Sequence, residues 1–85
     1  MKLRNHKDLA VTDTEYGAVL LDAKSGQYWQ LNPTAALVVR VLLDGGDEPE
    51  AVRRVTEHFE VDVERASVDV HALIESMREA GVVQK

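Results

Sequence analysis

Few side chains in this 85-residue chain are placed to do chemistry. The three histidines are His6, His58 and His71, and no pair has the H-x-x-x-H spacing that sets two imidazoles on one helix face. His71 and Glu75 are four apart, so a helix would bring them together as two ligands or, more simply, as a solvated surface pair. His58 falls where a helix should end and reads as a complement to the helix dipole. Ser25, Ser67 and Ser76 lack a G-x-S-x-G setting, so none sits on a nucleophile elbow. There is no cysteine, which excludes a thiol nucleophile, a disulfide framework and a Cys-based metal site. Gly45-Gly46 is followed by Asp47, Glu48 and Glu50, carboxylates that would repel a phosphate, so the diglycine is a helix stop. No constellation for general acid–base work emerges. Neither catalysis nor a cofactor or metal is expected.

The formal net charge is −5. That balance argues against binding through phosphates, which needs clustered Lys and Arg, and against an anionic membrane surface. No apolar run approaches the length needed to span a bilayer. The start of the chain is basic but lacks the apolar core of a signal peptide. A cytoplasmic location is expected, which the lack of cysteine fits. The length predicts a single domain over residues 1–85, with residues 1–8 flexible.

The elements that would position any site are legible from period and punctuation. Residues 9–13, 18–22 and 27–31 read as three strands, joined by turn chemistry at residues 14–17 and 23–26. Short turns between consecutive strands predict an antiparallel meander. At Asn32 the period changes. Asn32 can cap the helix that follows, and Pro33 stands where its missing N–H costs nothing. Residues 33–43 are apolar on nearly every side, with only Arg40 interrupting, which predicts a buried central helix. Gly45-Gly46 ends it. Asp47 and Glu50, with Pro49 between them, open a second helix whose apolar face is Ala51, Val52, Val55 and Phe59. Asp62 caps a third, running to about Ala80, with a core stripe of Val63, Ala66, Val70, Leu73, Ile74 and Met77. Three strands then three helices predict an α+β fold, winged helix-turn-helix-like, with a three-stranded antiparallel sheet followed by three helices.

The helix order raises a DNA-binding regulator, its third helix in the major groove. The exposed faces of that helix carry Glu64, Asp69, Glu75 and Glu79 against Arg65 and Arg78, a surface that opposes a polyanion. The third strand offers another reading. Trp29 and Leu31 share one face and fill core. If this strand also lies at the sheet edge, its unpaired N–H and C=O groups make a site for strand addition by an extended peptide. Composition does not say which strand is the edge.

Residues Gly17-Ala18-Val19-Leu20-Leu21-Asp22 and Gly26-Gln27-Tyr28-Trp29-Gln30-Leu31-Asn32-Pro33-Thr34-Ala35-Ala36 carry a family resemblance, supported by Leu42-Leu43-Asp44-Gly45-Gly46. The chain resembles the PqqD-like RiPP recognition elements, small domains that bind leader peptides in the biosynthesis of ribosomally made, modified peptides. It looks most like the stand-alone members from lasso-peptide clusters. The resemblance implies a non-catalytic adaptor. Its guest would be the leader region of a precursor peptide, added as an antiparallel strand to the third strand in a groove walled by the third helix. Leaders in those systems are expected to present a Tyr, a Pro and a Leu. A separate cysteine leader peptidase and a macrolactam synthetase would be partners, and nucleic acid and membranes would not. Carried onto this sequence, Gln27, Tyr28, Trp29, Gln30 and Leu31 offer the strand edge, and Asp69, Ala72, Leu73 and Ser76 face the peptide from the helix. An exposed strand also allows a weak homodimer beside the monomer. The pyrroloquinoline quinone pathway adaptor, or another modified-peptide system, is the alternative within the family.

Overall fold

The computed structural model describes residues 2–3, 8–81 and 83–84. The element order is β1 (Lys2–Leu3), β2 (Leu9–Thr14), β3 (Gly17–Asp22), β4 (Tyr28–Leu31), α1 (Pro33–Leu43), α2 (Glu48–Phe59), α3 (Val63–Glu79) and β5 (Val83–Gln84). The fold is α+β: a three-stranded antiparallel sheet, β2-β3-β4, followed by three helices. The strands called from the sequence are β2, β3 and β4, the last starting at Tyr28 rather than Gln27.

Local chemistry fixes each boundary. In the β3–β4 turn, Asp22 accepts hydrogen bonds from Lys24 N–H at 3.0 Å and Ser25 Oγ at 2.9 Å, while Gly26 takes a φ of 79°. Asn32 caps α1 by accepting from Ala35 N–H at 2.8 Å. Asp47 accepts from Glu50 N–H at 3.0 Å and Asp62 from Arg65 N–H at 2.8 Å, so all three helices start on the side chain expected to cap them. Gly45 ends α1 with a φ of 91°. Glu60 closes α2 in the left-handed region at φ 53° and turns the chain sharply into α3.

The core lies between one face of the sheet and the helices. Ala18, Leu20 and Leu31 come from the sheet; Val38, Val39, Val55, Val70 and Ile74 are the most deeply buried helical residues. α1 is the central helix, in contact with β3, β4, α2 and α3. Gly17 makes this close approach possible. Its φ is 152°, and a Cβ there would stand 2.1 Å from the Leu31 carbonyl oxygen. Only glycine lets the start of β3 lie so near the end of β4.

Two long-range contacts go beyond what the sequence pattern gives. Lys2 and Leu3 pair antiparallel with Gln84 and Val83 in a small two-stranded ribbon. Such a pair is two residues long and set by partners at opposite ends of the sequence, so no local pattern announces it. Met1 and residues 4–7, including His6, lie outside the described residues, as does Val82. His71 stands on the surface of α3. Besides Glu75, at 3.8 Å, it meets Glu48 of α2, with Nδ1 3.3 Å from Oε2. His71 and Glu75 are the exposed surface pair read from the sequence, and the contact with Glu48 adds a neighbour from the adjoining helix.

Candidate functional site

β4 is an edge strand. It pairs with β3 through Ala18–Leu31, Val19–Gln30, Leu20–Trp29 and Leu21–Tyr28, and no described strand lies on its other side. Asp22 N–H donates to the Gln27 carbonyl at 2.9 Å, which fixes the phase of the ladder. In an antiparallel pair the bonding residues alternate. Gln27, Trp29 and Leu31 therefore turn their backbone groups toward β3. Tyr28 and Gln30 turn theirs outward, leaving two donors and two acceptors in a row along the open edge. The five edge residues chosen from the sequence thus divide by role: two present backbone, and two, Trp29 and Leu31, present side chains to the inner face.

Beneath that edge is an apolar cleft. α3 packs on α2 and meets α1, but it stands off from β4. The space between, about 130 Å3, is lined by Leu20, Trp29, Leu31, Leu73, Ser76 and Met77, with Gln30 at its mouth. A shallower hollow follows at the start of β4, lined by residues 26–29 and Ala80. α3 therefore runs antiparallel to β4, its last turn beside Tyr28 and its middle beside Leu31. Trp29 is half-buried and borders both hollows.

The four helical residues proposed to face a peptide separate in the structure. Leu73 and Ser76 line the cleft. Asp69 and Ala72 do not line either hollow: Asp69 is 3.5 Å from Arg65, one turn nearer the helix start, and Ala72 is exposed. Met77 and Leu20 also line the cleft, and Ala80 lines the shallower hollow. Met77 was legible as core and Ala80 as helix end, so the apolar stripe itself was the overlooked signal: its last turn is shared between core and cleft.

Charge adds little to this site. Both arginines of α3 are engaged within the helix, Arg65 with Asp69 and Arg78 with Glu75. That removes support for a phosphate-reading face. Among the described residues no cluster of His, Cys, Asp and Glu could hold a metal ion, and no described helix is long and apolar enough to cross a membrane.

β4 thus presents a bared strand edge over an apolar cleft in a small α+β domain. The chain belongs to the PqqD family: the model for coenzyme PQQ synthesis protein D matches residues 17–83, which makes it a PqqD-like RiPP recognition element. Two solved structures share its architecture. One, a lasso peptide synthetase B1 complexed with the leader peptide, is 43% identical with a TM-score of 0.78, covering 99% of this chain and 96% of that one. The other, TbiB1 in complex with the TbiA(β) leader peptide, is 18% identical with a TM-score of 0.82, covering 99% and 95%, and shows the shared fold. No curated protein sequence matches the chain.

Proposed function

We propose that this chain is a non-catalytic adaptor that binds the leader of a precursor peptide, of the lasso type, by strand addition to β4. The open edge of Tyr28 and Gln30 above the apolar cleft carries the reading, and the 43%-identical structure solved with a leader peptide supports it. The ladder phase specifies the guest. Guest residues opposite Tyr28 and Gln30 exchange main-chain hydrogen bonds with them. Those opposite Trp29 and Leu31 turn their side chains toward α3, so the guest reads as two apolar anchors two residues apart. A proline is tolerated only at the anchor positions, where the guest N–H points away from β4.

Each buried anchor contributes about 1.5–3 kcal/mol. Each main-chain bond adds about 0.5–1.5 kcal/mol net. Less the cost of ordering the guest, this supports a Kd of about 1 µM or tighter, near −8 kcal/mol. Captured in this way, the leader and its junction are held for a separate cysteine leader peptidase and a macrolactam synthetase in the cytoplasm. Tethering raises the local concentration of the cleavage site without any chemistry in this chain.

The direct test uses the leader peptide found in the 43%-identical complex. Its addition shifts the emission of Trp29, the only tryptophan. Amide exchange then slows most at Tyr28 and Gln30, whose N–H groups face the guest, because those of Trp29 and Leu31 are already bonded to β3. Unchanged emission together with unchanged exchange at Tyr28 and Gln30 would remove the basis of the reading.

A further inference from the structure

We propose that the β1–β5 ribbon is the prop that holds the end of α3 off β4, which makes Lys2, Leu3, Val83 and Gln84 positioning residues for the leader site. This rests on the strand-addition reading above. Leu20, Trp29 and Leu31 from the sheet face Leu73 and Met77 of α3 across about 130 Å3. Apolar walls in water attract one another, and protein interiors otherwise pack without such gaps. A constraint must therefore keep the last turns of α3 from closing on β4.

The connections of α3 supply that constraint. Its packing on α2 fixes the body of the helix. Its last turns bring Ser76 and Met77 to the cleft and Ala80 to the shallower hollow. Gly81 then donates its N–H to the Arg78 carbonyl at 3.0 Å and takes a φ of 82°, which turns the chain out of the helix. β5 starts at Val83, three residues after Ala80, so at most about 11 Å of extended chain separates them. β5 lies against α3 and pairs with β1, and β1 lies against α1. The end of α3 is thereby tied to the central helix rather than to β4. The ribbon also sits at the right end of the molecule. The Asp8 carbonyl accepts from Ala23 N–H at 2.9 Å, so the chain arriving from β1 joins the sheet beside the β3–β4 turn, where β4 begins and Gly26 and Ala80 share a hollow.

The test opens the ribbon and follows Trp29, the only tryptophan, in the full chain. Only alternate residues of an antiparallel pair exchange main-chain bonds, so Lys2→Pro together with Leu3→Pro removes the bonded N–H whichever residue carries it. Without the ribbon, α3 closes on β4. Trp29 emission of the free protein then moves to shorter wavelength, and the leader peptide from the 43%-identical complex binds at least about tenfold more weakly. Ala51→Gly, inside α2 and away from ribbon and cleft, is the control for lost stability: it melts earlier, keeps its emission and binds within about threefold of the unmodified chain. An unchanged affinity in the double proline variant overturns the prop. So does an equal loss in Ala51→Gly, and so does a shift to longer wavelength, which would mean that the ribbon holds α3 in rather than off. Should the double proline variant fail to fold, Leu3→Cys with Val83→Cys, at directly opposed positions in a chain without cysteine, locks the ribbon by a disulfide. The oxidised form binds leader as the unmodified chain does. Weaker binding when oxidised than when reduced would show that the ribbon must open to admit the guest, and overturns the prop. Absence of a Trp29 response to leader in the unmodified chain overturns strand addition, and the role of the ribbon with it.

Discussion

The sheet has two outer strands, and they meet water in opposite ways. Among the described residues β2 pairs only with β3, as β4 does. Ala23 N–H donates to the Asp8 carbonyl at 2.9 Å, so by alternation Leu9, Val11 and Asp13 turn their backbone groups outward along β2. The two edges thus carry the same kind of unpaired backbone. They differ in side chains and in what lies beneath. Asp13 shares the inner face with Leu9 and Val11 and pairs with Arg40 of α1, setting a charge on the helix side of an edge strand. β4 has no charged residue, and its inner face looks into an apolar cleft. An inward-pointing charge is a known protection against edge-to-edge pairing. The two edges therefore differ in what β4 lacks: a protective inward charge and a helix packed close against its inner face.

Filling the cleft should break the contrast most completely. Ser76 is exposed and lines the space beside Leu73 and Met77, so Ser76→Arg leaves the core untouched and places a long cation where an anchor must go. Leader affinity falls at least about 100-fold, or about 2.8 kcal/mol at 1.4 kcal/mol per tenfold. Ala72→Arg, outside the lining, changes it less than about threefold. Titration of both variants by Trp29 emission, with melting curves to confirm folding, decides the matter. The opposite ranking would mean that the guest uses the outer face of α3.

A smaller effect sharpens the role of the edge itself. Gln30→Pro removes an N–H that faces the open side, so the ladder to β3 survives. The guest carbonyl opposite then has no N–H to accept from and is left unpaired, which weakens binding about tenfold to 100-fold. Val11→Pro makes the equivalent change on the outward side of β2. It leaves the affinity of the folded protein for the leader unchanged. If the two prolines act equally on binding, the guest does not distinguish the edges as described.

What the residues disclosed in advance, and what they withheld, divides along the same line. Asn32, Asp47 and Asp62 were legible as caps because capping is decided within four residues. The apolar α1 was legible as the central helix because a run with only Arg40 interrupting it has nowhere else to go. That β4 is an edge was not legible, because strand order is set by partners far apart in sequence. Nor was the facing of α3: steps of three and four define a stripe, and only the stand-off between α3 and β4 shows that Ser76, Met77 and Ala80 border the groove while Ala72 does not. The β1–β5 ribbon and the meeting of His71 with Glu48 are longer-range still. Sequence patterns report the local faces, and the site is made where two such faces fail to close.

The mildest change tests whether Asp13 is what keeps β2 solitary. The Asp13–Arg40 pair is largely solvated, with the Asp13 side chain 81% exposed, so its loss costs the fold no more than about 1 kcal/mol. The consequence for association is greater than that for stability. Asp13→Val leaves an edge whose inner-face residues, Leu9, Val11 and the new valine, alternate with Ala10, Thr12 and Thr14 and whose outward amides are unpaired. Such an edge pairs with its own copy. Sedimentation of the variant at about 100 µM should show concentration-dependent dimers, and added leader peptide should not disperse them, because it occupies the other edge. Self-association of the unmodified chain through β4, the pairing an open edge allows, would by contrast be competed away by leader. A variant that stays monomeric under those conditions would show that shape, not charge, shields β2. Dimers dispersed by leader would place the new contact on β4 and remove the distinction between the two edges.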